Sequence, residues 1–314
     1  GALGQITAIF LNAMVFAAIY LGITLKRVTL GLSRTHLKKY LAFGLPFVPS
    51  GLARWTISLS NVLILQRSAS LEEVALFSLA FKFGLVLDIV VIAILTAWEP
   101  FFYKRAGEEA GPHLFAQVAT YTWLVVGGLG VAILLGAQQI LRVATTPEYY
   151  GAGLAVAPVV VGILLRAAYL FNVQGISFKM KTGYLPLIDG MAAVVCVGMS
   201  LVLVPTFGMM GAAFSTATAY GSQLALGFVL SRRLYPIPYQ YLRLTKISAT
   251  FGACLFVLLQ VNLASDLATL FVREAMLPLM MAFGLVILRV PQAGELARLR
   301  RIGDQLGGWI RRQA

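Results

Sequence analysis

Charged side chains inside long apolar stretches are the residues of this sequence most suited to chemistry. There are six of them: Arg54, Lys82, Asp88, Glu99, Arg166 and Asp189. Ionised groups in such stretches are costly, and they normally face a bundle interior or a hydrated cavity, where they bind a ligand or couple an ion. Arg54, Lys82 and Arg166 outnumber the one acid near them, Asp88. Because cationic donors suit phosphate oxygens, this excess predicts an anionic ligand such as phosphate or pyrophosphate.

The stretch around Arg54 also carries a line of polar residues. At about 100° per helical residue, one face collects four of them: Ser50, Arg54, Ser58 and Asn61. Pro46 and Pro49 precede this face and predict a kinked start. The pattern favours a polar cavity wall, although Arg54 could instead pair with Asp88 and simply join two helices.

The carboxylates give no sign of acid/base catalysis. Asp88 and Glu99 are eleven residues apart, which separates them by about 16 Å along a helix, too far to act on one atom. We expect Asp88, Glu99 and Asp189 to couple an ion or to balance charge. Both histidines fall in connections and both cysteines in apolar runs, so no catalytic residue, metal site or cofactor is predicted.

Long helices must position these residues. The chain is 59 % hydrophobic and 12 % charged over 314 residues, about half the charge of an ordinary globular protein. A spanning helix needs about 20 mostly apolar residues, and nine stretches qualify: 4–25, 41–65, 75–98, 114–137, 153–177, 184–204, 210–230, 247–263 and 270–290. The predicted fold is an all-α polytopic membrane protein with about nine transmembrane helices.

The distribution of cations predicts the orientation of these spans. The net charge is +13. If the first connection is cytoplasmic, nineteen Lys and Arg residues lie on that side, and only Arg67, Arg142 and Arg273 lie on the other. The positive-inside rule then places the N-terminus of this chain outside and its C-terminus in the cytoplasm. Because the charge is spread over short connections, nucleic-acid binding is excluded.

Two spans open with the same small-residue pattern. Gly1 to Gly4 begins the first and Gly208 to Gly211 begins the seventh, both as Gly-x-x-Gly, which suggests duplicated halves, as in many transporters. In the seventh span Gly211, Ser215 and Ala219 form a small-residue ridge suited to close helix contact.

Several longer stretches resemble the polysaccharide (oligosaccharide) flippase family, within the multidrug and oligosaccharidyl-lipid exporter superfamily. They are Leu41-Ala-Phe-Gly-Leu-Pro-Phe-Val-Pro49, Asn61-Val-Leu-Ile-Leu-Gln66, Ser70-Leu-Glu-Glu-Val-Ala-Leu-Phe-Ser-Leu-Ala-Phe-Lys82, Pro147-Glu-Tyr-Tyr-Gly-Ala152, Lys179-Met-Lys-Thr182 and the segment 205–220. Many family members carry an acidic residue and Arg where Asn61-Val62 stands here, which argues against proton coupling at that position.

The resemblance implies a non-enzymatic flippase. It would move a polyprenyl-pyrophosphate-linked oligosaccharide across the bacterial inner membrane by alternating access, for surface polysaccharide synthesis. Implied partners are the lipid-linked sugar, membrane lipids, and the polysaccharide polymerase and glycosyltransferases. Arg54, Lys82 and Arg166 would attract the pyrophosphate.

The same template divides the chain into six parts. They are the last helix of a missing N-terminal lobe (1–25), a basic cytoplasmic connection (26–40), a six-helix lobe (41–230), a second basic connection (231–246), two additional helices (247–290) and a basic amphipathic tail (291–314). The chain would thus be the C-terminal portion of a longer family member.

Two other functions remain open at this level. A multidrug or organic-cation exporter of the same superfamily would need an acidic cavity. A membrane glycosyltransferase or polymerase acting on lipid-linked sugars would need acid/base or metal-binding groups at the membrane surface, for which Glu72 and Glu73 are candidates.

Overall fold

The computed structural model describes residues 2–25, 33–261, 263, 265–288 and 290. Across these residues the chain forms α-helices, two single-turn 3₁₀-helices and short turns, and no strand. The helices are α1 (Ala2–Leu25), α2 (Arg34–Gly44), α3 (Phe47–Ser68), α4 (Leu71–Arg105), α5 (Gly111–Ala144), α6 (Ala152–Phe178), α7 (Leu185–Leu234), α8 (Tyr241–Leu259) and α9 (Asp266–Ile287). The amphipathic tail predicted over 291–314 lies outside the described residues.

This protein is an all-α polytopic membrane protein. Within the described part of the chain, seven helices are long and apolar enough to cross a bilayer. Helix α7 is one of them, and its 50 residues cover two of the predicted spans. Helix α3, which carries the polar line of residues, falls outside the seven. The count of nine spans therefore stays a prediction.

The chain divides into two compact units between Leu45 and Pro46. The first unit contains α1 and the short basic α2. The second contains α3 to α9. The predicted span 41–65 is wrong at its start, because residues 41–44 belong to α2 and α3 begins at Phe47, directly after Pro46. Pro46 lacks the backbone N–H that a continuous helix would use there.

Helix α4 shows how local sequence defines an element. Ser70 is its N-cap, and the Ser70 hydroxyl accepts a hydrogen bond from the Glu73 backbone N–H at 3.2 Å. Glu72 and Glu73 lie in the first turn, while Lys104 and Arg105 lie in the last. This charge order complements the helix dipole at both ends.

The core of the second unit forms where α7 packs against α3 and α6, and where α6 packs against α4. Ser215 and Ala219 on α7 are fully buried, and Gly211 is buried beside them. A Cβ at Gly162 of α6 would lie 3.2 Å from the Ala217 Cα of α7. The small-residue ridge on α7 is confirmed as a buried face, and at Gly162 small residues let α6 and α7 approach closely.

Helices α8 and α9 pack on α5, away from that core. Arg273 joins them: its guanidinium donates hydrogen bonds to the backbone oxygens of Val261, Leu259 and Leu135, at 2.9, 3.1 and 3.2 Å. Arg273 falls in the predicted span 270–290, and it is buried within α9, which begins at Asp266. Carbonyls at the C-terminal end of α8 accommodate this charge.

Candidate functional site

Arg54 of α3 forms an ion pair with Asp189 of α7, with 2.9 Å between Nη1 and Oδ2. The other carboxylate oxygen, Oδ1, accepts hydrogen bonds from the Tyr169 hydroxyl at 3.1 Å and from Gln223 Nε2 at 2.6 Å. Asp189 is completely buried, whereas the Arg54 side chain is 44 % exposed. The alternative pairing of Arg54 with Asp88 is therefore wrong. Arg54 instead belongs to a network that joins α3 and α6 to both halves of α7, a helix that is interrupted at Gly208.

Arg166 of α6 forms a second ion pair, with Asp88 of α4. Both side chains are mostly buried. The Arg166 guanidinium carbon also lies 6.0 Å from the centroid of the Tyr220 ring, a cation–π distance. Two of the three predicted cations thus have separate acidic partners, and the three do not converge on one cleft.

A cavity of about 190 Å³ lies between α3, α4 and α7. We call it the Lys82 cavity. Its polar lining residues are Ser58, Asn61, Ser78, Lys82, Thr216 and Tyr220, and its apolar lining residues include Ile57, Phe77, Phe81 and Leu85. Three residues that the sequence singled out, Ser58, Asn61 and Lys82, therefore do meet at one site.

Asn61 is the polar anchor of this cavity. Its Nδ2 donates a hydrogen bond to Thr216 Oγ1 at 2.7 Å, and its Oδ1 accepts one from the Ser200 hydroxyl at 2.5 Å. Ser200 and Thr216 lie on the two sides of the break in α7. Because Asn61 is only 2 % exposed, its amide is satisfied by α7, and it holds α3 to both halves of that helix.

The residues of the polar face predicted on α3 lie in different environments. Ser58 is exposed and its hydroxyl donates to the Arg54 backbone oxygen at 3.2 Å. Ser50 is fully buried, and its hydroxyl has no hydrogen-bond partner among the described residues. The face therefore lines a cavity only at its Ser58 and Asn61 end, while Ser50 is packed in the core.

Glu99 lies apart from the other predicted site residues. It is exposed near the C-terminal end of α4 and does not line the Lys82 cavity.

Glu73 caps an internal helix start. Its Oε2 accepts a hydrogen bond from the Met209 backbone N–H at 2.7 Å. The residue before, Gly208, has φ 53° and ψ −128° and interrupts α7. The Glu73 carboxylate thus satisfies the start of the second half of α7, where the helix dipole favours an anion. Within the described residues, no group of three or more His, Cys, Asp or Glu side chains could hold a metal ion.

Sequence reasoning missed several partners of the predicted residues. Tyr169, Gln223, Thr216 and Tyr220 are distant in sequence from the groups they contact. Each is a polar side chain within an apolar helix, which is a usable signal, but their partners depend on how α6 and α7 pack against α3.

No protein-family model matches this chain, and neither does any curated protein or solved structure. The flippase resemblance therefore stays a prediction.

Proposed function

We propose that this protein is a transporter that moves a polyprenyl-pyrophosphate-linked oligosaccharide across the bacterial inner membrane by alternating access. The Lys82 cavity is the observation that carries this proposal. It lies between α3 and the two long apolar helices α4 and α7, and it combines a cation with hydroxyl and amide groups. Lys82 has no ion pair within the described residues. A positive charge without an acidic neighbour in the cavity suits a phosphate group better than an organic cation.

The two internal ion pairs have a different role in this proposal. The charges of Arg54 and Arg166 are balanced by Asp189 and Asp88, so Lys82 supplies the net charge of the cavity. The pairs hold α3, α4, α6 and α7 around it, which makes Arg54 and Arg166 positioning residues. Glu99 keeps only its predicted role as a coupling group.

The remaining expectations belong to the same proposal. The cation distribution of the sequence supports an orientation with the N-terminus of this chain outside and its C-terminus in the cytoplasm. The resemblance to the flippase family supports a place beside the glycosyltransferases that make the lipid-linked sugar and the polymerase that consumes it.

The test is binding and flipping of a fluorescent polyprenyl-pyrophosphate disaccharide by the purified chain in nanodiscs and liposomes. We expect Lys82→Ala to weaken binding about tenfold or more, because it removes a charged partner of phosphate. Lys82→Arg should keep most of the affinity. Lys104→Ala is the matched control, since Lys104 is exposed in the last turn of the same helix.

Unchanged binding by Lys82→Ala would overturn the role of Lys82. Failure of the wild-type chain to bind the pyrophosphate lipid, together with transport of a lipophilic cation, would favour the multidrug exporter. Transfer or release of the sugar, abolished by Glu73→Gln, would favour the enzyme.

A further inference from the structure

Helix α2 keeps its apolar side chains at the surface. None of its residues is buried, and Leu37, Tyr40 and Leu41 are 43 %, 69 % and 53 % exposed. We call these three residues the apolar face of α2. Apolar groups of this size gain free energy when they leave water. The described part of the chain leaves them uncovered, so a further surface is needed to bury them.

The same helix carries its cations on another side. At about 100° per helical residue, Arg34, Lys38 and Lys39 fall within an arc of about 140°. They line an open groove of about 440 Å³ together with Thr35 and Ala42, and we call these five residues the basic face. The apolar face is centred about 140° away from it around the helix. Helix α2 is therefore amphipathic.

The basic face has no balancing charge. Helix α2 contains no acidic residue, and none of its cations forms an ion pair within the described residues. Arg34 and Lys38 are four residues apart and Lys39 is adjacent, so like charges repel one another on this short helix. An anionic surface beside the basic face would turn this repulsion into attraction.

The position of α2 in the chain keeps it near the membrane. Helix α1, in the same compact unit, is long and apolar enough to cross a bilayer and ends at Leu25. Helix α2 begins nine residues later, at Arg34, and a chain of that length reaches at most about 30 Å. A basic amphipathic helix beside a membrane span is typical of one that lies between the lipid headgroups and the hydrocarbon.

We propose that α2 binds an anionic phospholipid surface, with its apolar face in the outer hydrocarbon layer and its basic face against the lipid phosphates. Free phosphate or a nucleic acid would balance the charges but leave the apolar face in water. An uncharged bilayer would cover the apolar face but leave the charges unbalanced, whereas an anionic bilayer satisfies both. Helix α2 shares no residue with the Lys82 cavity, so this inference does not depend on the proposed transport.

The test places a single spin label on either face of α2 in the full chain. The chain is reconstituted into nanodiscs of phosphatidylcholine alone or of a three-to-one mixture of phosphatidylcholine and phosphatidylglycerol. Leu37→Cys carries the label on the apolar face, and Thr35→Cys is its matched control on the basic face. The native cysteines, Cys196 and Cys254, are buried and give a low background.

The readout compares collisions of the label with oxygen, which concentrates in hydrocarbon, and with a water-soluble nickel chelate. In the mixed discs we expect the label of Leu37→Cys to collide mainly with oxygen and that of Thr35→Cys mainly with the nickel chelate. In discs of phosphatidylcholine alone, the label of Leu37→Cys should shift towards water, because the charges of α2 then lack their partner.

Charge removal measures the electrostatic part of binding. Lys38→Gln combined with Lys39→Gln, in the Leu37→Cys protein, should lower the ratio of membrane-bound to water-exposed label in the mixed discs about fivefold for each charge removed. High salt should lower the same ratio by screening. The matched control is Lys104→Gln with Arg105→Gln, a neighbouring pair of exposed cations at the end of α4, which should leave the ratio unchanged.

Several results would overturn the proposal. A label of Leu37→Cys that stays in water in the mixed discs would show that the bilayer does not cover the apolar face, and a label that neither reagent reaches would show that protein covers it. Equal ratios in the two kinds of disc, or no effect of the lysine variants, would rule out recognition of anionic lipid. Insertion caused by inorganic phosphate in phosphatidylcholine discs would indicate a site for free anions instead.

Discussion

The role of Asp189 in the structure differs from the role that its residue type suggests. A carboxylate in an apolar helix is a natural candidate for ion coupling. In the folded chain it accepts hydrogen bonds from Arg54, Tyr169 and Gln223 and is fully buried. Each of its oxygens is used, so its evident role is to fix α3, α6 and α7 relative to one another.

Removal of Asp189 should destabilise the protein strongly. Asp189→Ala leaves Arg54 without its anion and Tyr169 and Gln223 without their acceptor. We expect the free energy of unfolding to fall by about 3 kcal/mol, the lower end for removing one partner of a buried ion pair, since Arg54 is partly exposed and regains water. Titration of the detergent-solubilised protein with SDS, followed by circular dichroism, measures this change.

The control is the exposed pair of Arg142 and Asp266, whose side chains are 48 % and 40 % exposed. Asp266→Ala should cost less than about 1 kcal/mol, because exposed ion pairs contribute little. Equal losses for the two variants would contradict the interpretation that Asp189 organises the helix junction.

Helix α7 owes its shape to a break at Gly208. Gly208 has a φ of 53° and a ψ of −128°, and any residue with a side chain would be strained in this conformation. A Cβ at this position would also overlap Glu73 Oε2. The break thus depends on two conditions: no side chain at position 208, and an acceptor at Glu73 for the Met209 N–H.

A double-mutant cycle tests this arrangement. Gly208→Ala should cost at least about 2 kcal/mol of unfolding free energy, from strained dihedrals and the clash with Glu73. Glu73→Ala alone should cost about 1 kcal/mol, as for loss of a helix N-cap. The double variant should cost less than the sum, because Glu73→Ala removes the atoms that the new methyl strikes. Strict additivity would show that the two residues act separately.

For the whole molecule, the orientation in the membrane can be tested at both ends of α4 and at the C-terminal end of α5. Glu72 lies at the start of α4, Glu108 just beyond its end, and Glu148 just beyond α5. Because α4 and α5 follow one another across the membrane, Glu72 and Glu148 should face one side and Glu108 the other. All three are exposed.

Single cysteines at these positions should report the sides directly. We expect an impermeant maleimide added to intact cells to label Glu72→Cys and Glu148→Cys, and to label Glu108→Cys only after permeabilisation. The two native cysteines, Cys196 and Cys254, are buried, so the unmodified protein gives a low background. Labelling in the opposite order would reverse the proposed orientation, and labelling of all three would contradict the span assignment of α4.

Local patterns account for most of what could be predicted about the elements. Apolar runs specify membrane helices because a bilayer offers no partners to unpaired backbone groups, and the predicted spans 75–98, 114–137 and 153–177 lie within α4, α5 and α6. One boundary was wrong, because a helix ends just before Pro46, within the span predicted to begin at Leu41. The partners of Arg273 could not be predicted, since they are backbone oxygens of α5 and of the chain at the end of α8.

Hydrophobicity and helical periodicity are local properties of the chain, so the amino-acid sequence alone is enough to predict a helical membrane protein with costly charges inside its spans. The roles of those charges depend on the tertiary structure. It paired Arg54 with Asp189 and Arg166 with Asp88, and it left Lys82 in a cavity with Asn61 and Ser58. The partner of a buried charge depends on which distant helices pack beside it, and that choice minimises unpaired polar groups over the whole fold.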